Sequence, residues 1–162
     1  MSDLKALFLQ PPRRTLAVAE SLTCGRLQAR IGAISGASEF FLGGITAYSL
    51  DQKVRHLGID PTEADAVNSV SGRIAEQMAK GACRLFGADV AAATTGYAEA
   101  SPQWDVAVPF AWWGVARRLP GGDFAALSGR LDCPGLSRVE VQERVAAAAL
   151  DALVAWVTER AG

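Results

Sequence analysis

Apolar positions along this chain follow two rhythms that alternate from end to end. Thr15 to Ala19 (TLAVA) is a short unbroken apolar run between turn residues, the pattern of a buried strand. After the polar stretch Glu20 to Gly25, Leu27, Ile31 and Ile34 recur at helical spacing, so strand, turn and helix follow in order. Upstream, Ser2 is positioned to cap a short helix through Leu9, which Pro11 and Pro12 would stop. Downstream, Phe40 to Leu42 leads into Gly43-Gly44, and Ile45 to Tyr48 reads as the second strand. Asp51 caps a predicted helix through Leu57, closed by Gly58, and Pro61 to Ala66 is a short turn or helix. Ser71 opens a longer helix with Ile74, Met78, Ala82 and Leu85 on one face, ended by Gly87.

The second half repeats the alternation with one difference. Val90 to Thr94 is a small, apolar central strand, and 96–109 is predicted as loop. Phe110 to Ala116 and Phe124 to Leu131 flank Pro120-Gly121-Gly122, a hairpin pattern that requires an antiparallel pairing. Ser137-Arg138-Val139-Glu140 has capping-box spacing, and the helix after it carries Val141, Val145, Leu150, Leu153 and Val157 on its apolar side. Strands alternating with helices imply α/β layers, and the late hairpin implies a mixed sheet. No linker, repeat or low-complexity segment interrupts the pattern, so residues 1–162 are expected to form a single domain.

Composition narrows the function. Half of the 162 residues are hydrophobic, but 30 are Ala, which implies closely packed helices with few bulky anchors. The 16 basic residues nearly balance the 17 acidic ones, against a nucleic-acid binder or a polybasic membrane binder. Three widely spaced Cys and a single His give no material for a disulfide framework or a metal cluster. The first residues lack the order of a signal peptide, and no apolar stretch reaches about 18 residues. A cytoplasmic protein without membrane, nucleic-acid or metal partners is therefore expected.

Chemistry concentrates where predicted strands end. Ser21-Leu22-Thr23-Cys24-Gly25 lies between a strand and a helix, where helix N–H groups attract anions or a developing oxyanion. Ser21 there reads as a nucleophile, or Ser21 or Thr23 as a plain helix cap. A nucleophilic Ser needs a base. His56, the single His, sits in a charged helix near Lys53 and Arg55, where a surface position is expected. Lys53 follows Tyr48 by five residues, so both can reach one cleft, but such a Lys must be neutral, with its pKa lowered by roughly two to three units. Thr94-Thr95-Gly96 ends the third strand. Arg138 opens the last helix, where a cation opposes the helix dipole and so suggests service to an anion. Trp112 and Trp113, adjacent in a strand, should point to opposite faces.

These residues together resemble the C-terminal domain of the competence/damage-inducible CinA proteins, the nicotinamide-nucleotide amidohydrolase (PncC-type) family, from Thr15 to about Val154. The family's Glu-Ser-Cys-Thr-Gly-Gly is similar to Glu20-Ser21-Leu22-Thr23-Cys24-Gly25, and its Pro-Gly-Ser/Ala-Ser segment to Ser35-Gly36-Ala37-Ser38. Its Gly-Gly-x-x-x-Tyr-Ser-x-x-x-Lys block matches Gly43-Gly44 through Tyr48-Ser49 to Lys53. Leu57-Gly58-Ile59, Val70-Ser71, Thr95-Gly96-Tyr97-Ala98 and Arg138 follow in family order. The resemblance implies a three-layer α/β/α fold with a mixed, mostly parallel sheet, in a homo-oligomer of two or more copies. It implies hydrolysis of a small-molecule nucleotide, nicotinamide mononucleotide, to nicotinate mononucleotide and ammonia, with no cofactor and no metal. Ser21 would be the nucleophile, Lys53 the base and Tyr48 a proton relay. Thr23, Cys24 and Gly25 would line the substrate side, with N–H groups near Cys24 and Gly25 holding the oxyanion. Thr95 and Gly96 would position substrate, and Arg138 would meet the phosphate.

The chain departs from that pattern at Leu22, at Cys24 in place of a Gly, and at Glu99, whose negative charge would oppose a phosphate. Its 97–104 loop is rebuilt. A related hydrolase of altered specificity, a thiol enzyme using Cys24, and a non-catalytic binding homologue with a partner surface around Trp104, Trp112 and Trp113 remain as alternatives.

Overall fold

The computed structural model describes residues 2–159; the cap expected of Ser2 concerns a side chain outside that description. Among these residues six α-helices and five strands follow in the order α1 Ser2–Leu9, β1 Leu16–Glu20, α2 Arg26–Gly32, β2 Phe41–Thr46, α3 Leu50–Leu57, α4 Pro61–Ala66, α5 Gly72–Phe86, β3 Val90–Tyr97, β4 Phe110–Arg118, β5 Phe124–Asp132 and α6 Arg138–Glu159. One sheet runs in the order β2-β1-β3-β4-β5. β1 pairs parallel with β2 and β3, whereas β3–β4 and β4–β5 are antiparallel. Four strands thus share one direction, and β4 alone is reversed.

Each strand deals its side chains alternately to two helical layers, with unequal residues on the two sides. Leu16 and Val18 of β1, Val90 and Ala92 of β3 and Val115 of β4 join a core with Leu4, Phe8, Leu27, Ile31, Leu153 and Trp156 of α1, α2 and α6. Ala17, Ala19, Ala91, Ala93 and Ala116 face the opposite way, toward Leu57 of α3, Ala64 of α4, and Ile74, Met78 and Ala82 of α5. The Ala excess is therefore spent mainly on one face, which lets α5 lie almost on the strand backbones. A Cβ on Gly114 of β4 would stand 2.5 Å from the Ala75 carbonyl carbon. The buried aromatic anchors Phe8, Phe40 and Trp156 lie on the other face, while Leu57, Ile59, Ile74 and Met78 fill this one, and each fully buried Leu, Ile, Met or Phe contributes roughly 1.5–3 kcal/mol. Trp112 and Trp113 part as alternation demands: Trp113 packs on the α1/α2/α6 side, and Trp112 approaches Gly72 at the start of α5.

Helix boundaries follow local chemistry. Ser71 Oγ accepts from the Ile74 N–H, and Gly58 and Gly87 close α3 and α5 in the left-handed region. Before α6, Glu140 Oε2 accepts from both Ser137 N–H (2.8 Å) and Ser137 Oγ (2.5 Å). Three expectations shift. Ser49, not Asp51, stands at the cap position of α3, and Asp51 lies in its first turn. The second strand runs Phe41–Thr46 rather than Ile45 to Tyr48, because Gly43-Gly44 is not a turn. Gly44 is instead the close-approach point, where a Cβ would meet Val18 at 2.5 Å and Gln28 at 2.6 Å. Consequently Tyr48 lies beyond the strand. β3 continues to Tyr97, paired with Phe110, so the loop begins later than residue 96.

Candidate functional site

β1 and β3 are parallel neighbours, and β1 is also flanked by β2. The chain leaves β1 toward the α2 face and leaves β2 toward the α5 face, so a crevice opens at the carboxyl ends of these strands, the usual ligand position in open α/β sheets. Ser21 directly follows β1. Its N–H donates to Thr94 O at 3.0 Å, fixing the start of the turn against β3.

The turn is organised by a carboxylate. Glu20 is fully buried, and its Oε2 accepts from Thr23 Oγ1 (2.6 Å), Gly25 N–H (3.0 Å) and Leu27 N–H (3.0 Å). Oε1 accepts from Gln28 N–H at 2.9 Å. The acceptor that the first turn of α2 needs therefore comes from the end of the preceding strand, and neither Ser21 nor Thr23 is its cap. Reaching this geometry takes two left-handed residues in succession, Cys24 (φ 49°) and Gly25 (φ 95°). Thr23 Oγ1 also meets Thr94 Oγ1 at 2.7 Å. Thr23, Cys24 and Gly25, expected on the substrate side, line neither chamber of the crevice described below. The Cys24 N–H is spent on Ser21 O and the Gly25 N–H on Glu20, so neither is free for an oxyanion. The Leu22 N–H, directly after Ser21, takes no backbone or side-chain acceptor among the described residues.

The crevice has two adjoining chambers. The inner one, about 240 Å³, is lined by Ser21, Leu22, Tyr48 and Lys53, by Asn68 to Val70, and by Gly96 and Tyr97. Lys53 sits with Leu57 on the buried side of α3 and is only 3 % exposed. Burial disfavours its charged form and lowers its pKa from 10.5 to about 8. Its Nζ donates to Thr95 Oγ1 at 3.3 Å, and Thr95 Oγ1 donates to Ser69 O at 2.7 Å. Thr95, expected to touch substrate, lines neither chamber and instead holds Lys53. Gly96 lines both.

The outer chamber, about 290 Å³, shares Leu22, Tyr48, Gly96 and Tyr97 with the inner one and adds 98–103 and Arg138. Arg138 reaches from the start of α6 across its mouth. Nη1 donates to Glu99 Oε1 at 2.8 Å and Nη2 to Tyr48 OH at 2.9 Å. Among the described residues no hydrogen bond joins Ser21 Oγ to Lys53 Nζ or to Tyr48 OH: Lys53 Nζ donates to Thr95, and Tyr48 OH accepts from Arg138.

Ser21, Tyr48, Lys53, Gly96 and Arg138 are thus brought to one crevice. His56 is exposed and bonds to Gln52 on its own helix at 2.9 Å, away from both chambers. Cys24 is exposed outside them as well. Sequence reasoning missed Asn68 and Ser69, left-handed at φ 47° and 59° between α4 and α5. Ser69 supplies the carbonyl that orients Thr95, and Asn68 Nδ2 donates to Tyr97 OH at 3.0 Å. Asn enters the left-handed region more readily than most residues, and that was the available sign. Among the described residues no helix is long and apolar enough to cross a membrane.

Known proteins share this arrangement of sequence and fold. The family model described as the CinA C-terminal domain matches residues 3–157. A CinA-like protein of Chlorobium limicola is 36% identical over 149 residues, covering 91% of this chain and 34% of that protein. One from Chlorobaculum tepidum is 36% identical over 162 residues, covering 98% of this chain and 38% of that protein. The chain thus spans little more than a third of the length of these curated relatives. Among solved structures, a competence-damaged protein (CinA) superfamily member from Klebsiella pneumoniae superposes with TM-score 0.81 at 24% identity, covering 96% of this chain and 93% of that one. The competence/damage inducible protein CihA from Agrobacterium tumefaciens does so with TM-score 0.76 at 26% identity, covering 95% and 88%. A sequence match running almost end to end, over a fold that solved members share, establishes that this chain belongs to the CinA C-terminal domain family.

Proposed function

We propose that this chain is an amidohydrolase that converts nicotinamide mononucleotide and water to nicotinate mononucleotide and ammonia, with Ser21 as nucleophile and Lys53 as base. One observation carries the reading: an amine buried to 3 % exposure, its pKa near 8, lines the same cavity as a Ser at the carboxyl end of a central strand. Ser–Lys pairs are an established solution to nucleophile activation, and a base poised near neutrality is what they need.

Neutral Lys53 takes the Ser21 hydroxyl proton as Oγ bonds to the carboxamide carbon. The carbonyl oxygen becomes an oxyanion, met by the Leu22 N–H, the donor left free beside the nucleophile. Collapse of this intermediate breaks the C–N bond, and the proton held by Lys53, passed directly or through Tyr48 OH, leaves with ammonia. Water then gives one proton to Lys53 as its oxygen attacks the ester carbon; collapse breaks the Oγ–C bond, Lys53 returns that proton to Oγ, and the acid formed gives its remaining proton to ammonia or solvent as the carboxylate. Thr95 keeps Lys53 Nζ oriented throughout. Arg138 is the cation of the outer chamber and the partner for the phosphate.

The test is ammonia and nicotinate mononucleotide production by the purified wild-type chain beside Ser21→Ala. Turnover by the wild type alone is expected. Normal turnover by Ser21→Ala removes the nucleophile, and inertness of a folded wild type removes the reaction.

A further inference from the structure

The outer chamber already contains an anion of its own. Its charged lining groups are Arg138 and Glu99, and they are joined: the guanidinium gives one Nη to the Glu99 carboxylate at 2.8 Å and the other to Tyr48 OH at 2.9 Å. Carboxylate and phosphate oxygens compete for the same planar N–H fork. Both side chains are substantially exposed, at 45% and 66%, so the pair is weak and exchangeable. Glu99 makes no other hydrogen bond or ion pair among the described residues, so nothing else explains its position.

We propose that Glu99 is a specificity-determining residue that competes with substrate phosphate for Arg138. The inference rests on the amidohydrolase reading of this crevice and deepens it. A phosphorylated amide must displace the Glu99 carboxylate and then accept its negative charge nearby. An amide without phosphate meets an outer chamber whose charges cancel. Glu99 therefore narrows the preference for phosphorylated over unphosphorylated amides, acting on binding and leaving the bond-breaking step in the inner chamber untouched.

Binding separates this claim from catalysis. Ser21→Ala and Ser21→Ala/Glu99→Gln are titrated calorimetrically with nicotinamide mononucleotide and with nicotinamide riboside, which lacks the phosphate. Glu99→Gln keeps the size of the side chain and removes its charge. It is expected to tighten the mononucleotide about tenfold, on the scale of an exposed charge pair plus a repulsion removed, and to change the riboside by less than about twofold. Adding Arg138→Met should abolish the gain. Equal shifts for both ligands, no shift, or no mononucleotide binding by the Gln variant at millimolar concentration would each overturn the proposal. Hydrolysis by the wild type is scored separately: turnover with an unchanged binding ratio sinks the role of Glu99 alone, and a changed ratio without turnover sinks the reaction alone.

Discussion

Lys53→Met should stabilise this protein while abolishing the proposed amide hydrolysis. The wild-type fold holds an amine at 3 % exposure with its pKa lowered from 10.5 to about 8, a preference against the charged form of about 3 kcal/mol at about 1.4 kcal/mol per pH unit. Met fills similar space without charge. It forfeits the 3.3 Å hydrogen bond to Thr95 Oγ1, at about 1 kcal/mol, while Thr95 keeps its bond to Ser69 O. A net gain of about 2 kcal/mol at pH 7 follows, about 4–8 °C in Tm for a chain of this size. The sign reverses with alkali in a defined window. Above 10.5 Lys53 is neutral in both the folded and unfolded chain and costs nothing. As pH falls from 10.5 the unfolded chain binds the proton first and stability drops, and below about 8 the loss is complete. The advantage of Met should therefore be full at pH 7 and smaller by about 2 kcal/mol at pH 9.5. Urea denaturation of both proteins at pH 7, 8.5 and 9.5 measures it. A variant less stable than wild type at pH 7, or an advantage that ignores pH, would refute the claim that Lys53 is held against its charge.

Under the proposed mechanism the same amine sets the rate. With Lys53 as base, kcat/KM should rise with pH and level off above about 8, falling about tenfold per unit well below it, which a profile from pH 6 to 9.5 will trace; a flat profile excludes Lys53 as the base. Cys24→Gly should raise stability by about 0.5–1 kcal/mol, since a side chain at φ 49° is strained and this one is exposed; thermal melts that show a loss would refute the strain argument. Glu20→Gln replaces an acceptor of four donors by one with an amide NH₂ facing N–H groups. It should cost about 2–3 kcal/mol and loosen the Ser21 turn, read as a lower Tm together with a lower kcat; unchanged stability would show that the cap is dispensable.

What could be read from residues alone was whatever depends on neighbours in the chain. TLAVA declares a buried strand, Ser71 and Ser137 mark helix starts, and Gly58 and Gly87 mark helix ends, because burial period and capping are local properties. The same locality misled at Gly43-Gly44. Paired glycines read as a turn until Val18 and Gln28 are seen pressing on Gly44 from other elements. In the site, the resemblance named Ser21, Tyr48, Lys53, Gly96 and Arg138, and the crevice holds all five. It also named Thr23, Cys24, Gly25 and Thr95, whose hydrogen-bonding groups the fold commits elsewhere: Glu20 takes the Thr23 hydroxyl and the Gly25 N–H, Ser21 O takes the Cys24 N–H, and Thr95 holds Lys53. No sequence pattern announces such commitments, since a donor's partner is chosen by residues brought near from other elements.

The order of strands and helices, the helix starts at Ser71 and Ser137 and the supply of a Ser, a Tyr and a Lys were thus determined by the sequence by itself. The tertiary structure alone decided the burial of Lys53 that lowers its pKa, and it alone joined Arg138 to Glu99 across 39 residues of chain. Both outcomes are electrostatic, and electrostatic free energies are set by distance and solvent exposure, which exist only once the chain has folded.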